Sequence, residues 1–151
     1  MELKELYQEI ILDHGKNPRN YGKCKNFTSD AKSYNPLCGD KVHIYAQLDK
    51  KKNILDISFE GEGCAISLAS ASILTDILKG KDFNLAKLIV NNFLNLIKEN
   101  KMITLNSLDD NQKTTLMSLS GVKDFPMRVK CATMAWHTLS NVLEKNNENK
   151  R

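Results

Sequence analysis

The sequence predicts an α+β protein, with a small antiparallel sheet preceded and followed by helices. Two strand-period segments near the middle of the chain, an abrupt switch to helical period at Cys64, and the absence of any internal repeat carry this expectation. Val42, Ile44, Ala46 and Leu48 alternate with His43, Tyr45 and Gln47, the pattern of a half-buried strand. Leu55, Ile57 and Phe59 alternate in the same way with Asp56, Ser58 and Glu60, and the polar turn Asp49–Asn53 makes the pair a hairpin.

The remaining elements follow in chain order. Leu3, Leu6, Tyr7, Ile10 and Ile11 fall on one stripe of a helix over 2–14, with Gly15 and Asn17-Pro18 expected to end it. Residues 27–34 are a weaker strand candidate, and Asn35-Pro36-Leu37-Cys38-Gly39-Asp40 reads as a loop. Gly61-Glu62-Gly63 is expected to break the second hairpin strand. Ile66, Ala69 or Ser70, Ile73 and Ile77 then mark a helix that Lys79-Gly80 ends. Leu85, Leu88, Ile89, Phe93, Leu96 and Ile97 mark another over 83–99, whose stripe is helix-packing surface first. A short helix is expected near 110–118 and a loop over 121–126. A last helix starts near Met127, its stripe Val129, Ala132, Trp136, Leu139 and Leu143 stepping by three and four; Trp136 reads as core. The expectation is one domain over 1–143 and a disordered tail over 144–151, which offers nothing to bury.

Composition excludes several functions. The chain has 151 residues, 41% hydrophobic and 26% charged, which is globular composition. Its net charge of +4 comes from 19 Lys and 3 Arg. Arg is the side chain suited to bidentate reading of phosphate and bases, so nucleic acid is not expected as a partner. The longest uncharged runs are 13 residues, Gly63–Thr75 and Cys131–Leu143, against about 20 for a membrane span. No membrane association is expected, and with no signal-peptide pattern at the N-terminus a cytoplasmic location is. Four cysteines are too few for a disulfide scaffold, so they are expected to be reduced.

Three of the cysteines stand at element edges. Cys38 lies in the Pro/Gly loop, Cys64 opens a helix after a glycine, and Cys131 lies in the first turn of the last helix. A helix N-terminus favours anions, so lowered thiol pKa values are expected at Cys64 and Cys131, with Arg128 and Lys130 adding positive charge. Asp40 follows Cys38 by two residues, which share a side in extended backbone, and Gly39 lets the chain bend around an ion. Three thiolates and one carboxylate make a reasonable tetrahedral set for zinc, the carboxylate being its more exchangeable member. There is no Cys-x-x-Cys pair, and spacing alone favours buried small hydrophobes over ligands. Cys24, in a Lys-rich segment with no partner spacing, reads as a bystander.

Taken together, four segments resemble a known family: LYQEIILDHGKNPRN at 6–20, NPLCGD at 35–40, FEGEGCAISLASASILTD at 59–76 and GVKDFPMRVKCATMAW at 121–136. They resemble the U-type iron–sulfur assembly proteins, in their SUF-system branch, over about residues 3–143. The resemblance implies the SufE/NifU-like α+β plan, with a three-stranded antiparallel sheet and one metal site at the end of the domain. Its ligand positions fall on Cys38, Asp40, Cys64 and Cys131. The scaffold branch of the family builds a transient [2Fe–2S] cluster and carries a His before its last cysteine and a short connection. This chain has Lys130 there, and 66 residues separate Cys64 from Cys131. Both features resemble the branch that binds Zn2+ and accepts sulfur from a cysteine desulfurase.

That resemblance implies a zinc-dependent sulfurtransferase that takes persulfide sulfur from a SUF-type cysteine desulfurase and passes it to a downstream iron–sulfur scaffold. The acceptor role is expected at Cys38, since its loop swings more easily than the helices anchoring Cys64 and Cys131. Arg128 matches an arginine of the family motif and reads either as charge stabilisation for a released thiolate or persulfide, or as a solvated helix-start arginine. His14 reads as a helix-end cap, while His43 and His137 match no ligand position. The alternatives are a scaffold for a transient [2Fe–2S] cluster and a structural zinc domain that binds another protein.

Overall fold

A computed structural model describes residues 2–99 and 107–148, with backbone alone for 146–148. Helix α1 (Leu3–Lys16) leads into a three-stranded antiparallel sheet in the order β1 (Ser29–Asn35), β2 (Asp40–Leu48), β3 (Ile54–Glu62). Among the described residues four helices follow: α2 (Ala65–Leu78), α3 (Phe83–Glu99), α4 (Asp110–Leu119) and α5 (Val129–Glu148). Helices α2 and α5 pack on each other and on the sheet; α1 packs on α2, and α4 on α1. The α+β architecture with its small antiparallel sheet is the one expected from the sequence.

Helix α2 is central. Its residues 69–75 are all buried, which its apolar and small-residue sequence permits. The core beside it is built on Trp136, whose ring stacks on Phe93 at 4.2 Å between centroids and whose Nε1–H donates to Ser70 Oγ at 2.9 Å. The indole is fully buried with its one donor satisfied, as burial requires.

Several boundaries differ from expectation, each for a local reason. Helix α1 runs through Gly15 to Lys16. Gly15 is a packing residue rather than a stop: a Cβ there would lie 3.4 Å from Ala65 Cβ, so its lack of a side chain lets α1 and α2 approach. Strand β3 continues through Gly61 and Glu62, which pair with Val42 and Lys41, because ladder bonds outweigh the low strand preference of glycine. A register irregularity at Gln47/Leu48 pairs Leu48 with Ile54 and turns Leu55 out, so that Ile54 is buried and Leu55 is 53% exposed. The segment expected as a loop before the last helix is two short 3-10 turns, Ser120–Asp124 and Pro126–Arg128, with Pro126 opening the second. Helix α5 therefore begins at Val129 and continues past residue 143 to Glu148; residues 149–151 lie outside the described residues.

His14 is not a helix-end cap. It is buried, and its Nδ1 pairs with Ser72 Oγ at 2.8 Å, joining α1 to α2. Burial depresses its pKa below 6.5, and the positive charge of Arg19 adds to the depression. The folded state thus resists taking a proton that the unfolded chain accepts. The stability associated with neutral His14 is complete above 6.5 and is lost as pH falls from there toward the lower folded-state value. The melting temperature should fall between pH 7 and pH 5, and His14→Gln should flatten that slope in a pH series of thermal melts.

Candidate metal centre

The end of the sheet where β1 turns into β2 meets the N-termini of α2 and α5. Asn35 and Asp40 are register partners across the β1–β2 pair, and residues 36–39 bridge them. Gly39 donates its N–H to Asn35 O at 2.8 Å and has φ +70, which glycine adopts without strain. This tight turn carries Cys38 at partial exposure over the end of the sheet.

Asp40 is fully buried. Its Oδ1 accepts the backbone N–H of Cys64 at 2.8 Å, at the mouth of helix α2. Gly63 makes room for this: with φ +133, a Cβ there would stand 2.2 Å from Asp40 Oδ1. Cys131, 1% exposed in the first turn of α5, donates its S–H to Cys38 Sγ at 3.4 Å. One donor atom each from Cys38, Asp40 and Cys131 lies within 4.8 Å of the others. These three form a candidate metal site.

The fourth expected ligand stands slightly apart. Cys64 is the N-cap of α2, and its Sγ accepts the N–H of Ser67 at 3.5 Å while lying 3.9 Å from Asp40 Oδ2. It borders the three-residue group without belonging to it. Arg128, in the 3-10 turn before α5, is exposed and donates through Nη1 to Cys38 Sγ at 3.4 Å. Hydrogen bonding to Cys131 and the negative charge available at Cys38 and Cys64 hold its guanidinium still more firmly protonated. Lys130, two residues on, is exposed.

Cys131 departs from expectation. Its pKa is raised rather than lowered, first by burial and then by hydrogen bonds with Asp40 and Cys38 and the charge of Cys64. The helix N-terminus and the nearby Arg128 guanidinium are outweighed by burial and by the crowding of two thiols and a carboxylate around the sulfur. A thiolate cluster beside a buried carboxylate is the donor set a borderline-soft divalent cation satisfies, and such a cation relieves that crowding.

Sequence reasoning missed Asn35. It is 1% exposed, with Nδ2 3.4 Å from Asp40 Oδ2 and 3.8 Å from Cys131 Sγ, and its Oδ1 accepts the N–H of Leu37 at 3.3 Å. An Asn before Pro is ordinary turn chemistry, which hid it. Cys24 is buried and stands outside the cluster. His43 pairs with Asp30, on β1, and His137 is exposed on α5.

An α+β domain with thiols and a carboxylate gathered at one end of a three-stranded sheet has the donor set of a metal-binding protein. The chain belongs to the NifU-like N-terminal domain family, whose model matches residues 6–132, and is a U-type iron–sulfur cluster assembly protein. It is 38% identical to a zinc-dependent sulfurtransferase SufU of Bacillus subtilis, over 95% of this chain and 92% of that one. It is 32% identical to an iron–sulfur cluster assembly scaffold protein IscU of Streptococcus pyogenes, over 95% and 86%. A crystal structure described as a putative iron–sulfur cluster assembly scaffold protein for the SUF system, from Fervidobacterium islandicum AW-1, superposes with TM-score 0.78 at 33% identity, covering 92% of this chain and 97% of that one. No helix among the described residues is long and apolar enough to cross a membrane.

Gly63→Ala should drive Asp40 out of the cluster and add backbone strain of about 1–3 kcal/mol. We expect lower stability in urea together with weakened metal binding in a chelator competition. Gly22→Ala, with φ +120 and nothing within 4 Å of its Cβ, should show the strain while leaving metal binding unchanged.

Proposed function

We propose that the chain is a zinc-dependent sulfur acceptor, taking persulfide sulfur from a SUF-type cysteine desulfurase on Cys38 and passing it to a downstream iron–sulfur scaffold in the cytoplasm. The observation that carries this is the setting of Cys38: half-buried in a turn, with its Sγ 3.4 Å from the Arg128 guanidinium. Leu37 beside it and Met127 beside Arg128 are 75% and 76% exposed, an apolar rim suited to a protein partner. The name of the Bacillus subtilis relative supports the same reading.

Cys38, Asp40, Cys64 and Cys131 would hold the zinc. Bound there, zinc keeps the thiols deprotonated at neutral pH. The chain's own part in transfer is to deliver the Cys38 thiolate to the outer sulfur of the donor persulfide. A new S–S bond forms to Cys38 as the donor's S–S bond breaks, and the electron pair leaves with the donor cysteine as its thiolate. The outer sulfur keeps its proton, so Cys38 ends as a persulfide with no net oxidation. Arg128 offsets the negative charge that Cys38 carries before transfer, and the charge its persulfide carries once the outer sulfur has released its proton to water. Lys130 supports this reading over the scaffold one, because a protonated amine has no lone pair for a metal.

The protein purified in air should be colourless and hold one zinc. Thiolate zinc sites supply roughly 10–16 kcal/mol, so chelation should lower the melting temperature clearly. Brown protein containing iron and sulfide would favour a scaffold for a transient [2Fe–2S] cluster instead.

With a cysteine desulfurase and cysteine, peptide mass spectrometry should find one added sulfur on Cys38. Cys38→Ser should abolish stimulation of the desulfurase, and Cys24→Ser should leave it intact. Added sulfur on Cys64 or Cys131 with Cys38 unmodified would overturn the assignment.

A further inference from the structure

We propose that Asn35 is a positioning residue that latches the Cys38 turn over the metal-binding cluster, so that it sets how readily Cys38 leaves its resting position. Its side chain touches three separate pieces of the site. Oδ1 accepts the Leu37 N–H at 3.3 Å, which pins the turn one residue before Cys38. Nδ2 faces Asp40 Oδ2 at 3.4 Å, at the start of β2, and Cys131 Sγ at 3.8 Å, at the start of α5. The backbone adds a fourth tie, Gly39 N–H to Asn35 O at 2.8 Å.

The residue type fits this position for a physical reason. A primary amide offers both an acceptor and two donor hydrogens from one short side chain. At 1% exposure it has no water to fall back on, so each bond lost leaves a buried polar group unmet. Aspartate would keep the acceptor for Leu37 but turn a second carboxylate toward Asp40 and Cys131. Serine or alanine would not span the gap. The amide is neutral, so it adds donors to a crowded anionic corner without a fixed charge that competes with the metal.

The consequence concerns Cys38 more than the other thiols. Cys64 and Cys131 are held by their helices whatever Asn35 does. Cys38 is held by a four-residue turn whose ends are Asn35 and Asp40, so the Asn35 side chain restrains it through the turn, beside the direct contacts its sulfur makes with Cys131 and Arg128. Groups that orient metal ligands in this way typically change metal affinity or activity by about 10–100-fold when removed.

Only the role of the released thiol rests on the sulfur-acceptor reading; the latch itself is tested without a desulfurase. Asn35→Leu, close in size and without polar atoms, is labelled with iodoacetamide in the zinc-loaded protein, and the rate at each cysteine is read by peptide mass spectrometry. Cys38 should react several-fold faster than in the parent, with Cys64 and Cys131 unchanged, and zinc should pass to a competing chelator about 10-fold more readily. If Asn35→Leu does not fold, Asn35→Ser is read in the same way, with the same outcome expected. Parent-like Cys38 labelling in a folded variant would overturn the proposal, as would equal acceleration at all three cysteines, which is general loosening. A variant with fast Cys38 labelling whose parent takes up no sulfur from a desulfurase would leave the latch standing and remove the sulfur-acceptor function.

Discussion

The bond between Asp40 and the backbone N–H of Cys64 is the constraint on which this end of the molecule depends. It ties the first residue of β2 to the mouth of α2, where unpaired N–H groups and the positive end of the helix accumulate. It also requires glycine at 63, since any side chain there would occupy the space of the carboxylate. With Asp40 fixed, its register partner Asn35 is held opposite it, and residues 36–39 close the turn between them. Burying a carboxylate is costly unless it is paired. None of the described ion pairs involves Asp40, and its neighbours are amides and thiols. The fold thus assembles more electron-pair donors than it neutralises.

That imbalance separates the three site cysteines by how they are held. Cys131 is enclosed at the start of α5, where burial and its neighbours push its thiol upward. Cys64 is engaged as the N-cap of α2, its sulfur accepting a backbone N–H. Both are part of the helices that also form the core, through Ser70 and Ala132 to Trp136. Moving either sulfur far disturbs packing that extends through the domain. Cys38 alone belongs to no helix, and its displacement costs a turn rather than a core contact.

The sequence showed the architecture because its signals are periodic and redundant. The 42–48 strand, the 83–99 helix and the last helical stripe each rest on four or more apolar positions, so one misread residue changes little. The errors came where one residue decides the outcome. Leu55 looked inward by alternation, but a register irregularity, invisible in a single strand, moved it to the surface. Gly15 and Gly61 looked like breaks, yet one makes a helix contact and the other sits in a ladder. Cys131 looked activated by its helix, because the groups that oppose the helix, Cys38 in the turn, Asp40 at the start of β2 and Cys64 at the mouth of α2, are all distant in sequence. Asn35 was missed for the same reason: its partners at 40 and 131 become neighbours only when the sheet and α5 meet.

Arg128 and Lys130 show how this geometry sorts neighbouring cations. Both precede Cys131 and both are exposed, but Arg128 stands in the 3-10 turn whose path brings it to Cys38. The three-residue 3-10 turn started by Pro126 gives a different angular step per residue from the helix that follows. An exposed pairing of this kind contributes little to stability, since water competes for both partners. The contact therefore holds Cys38 only weakly. The restraints on Cys38 that water cannot replace are buried: the Cys131 thiol, which donates to its sulfur, and the amide of Asn35, which holds the turn through the Leu37 N–H. A solvent-exposed cation on one face and a buried neutral amide on the other thus bracket the Cys38 turn, the first exchangeable with water and the second not.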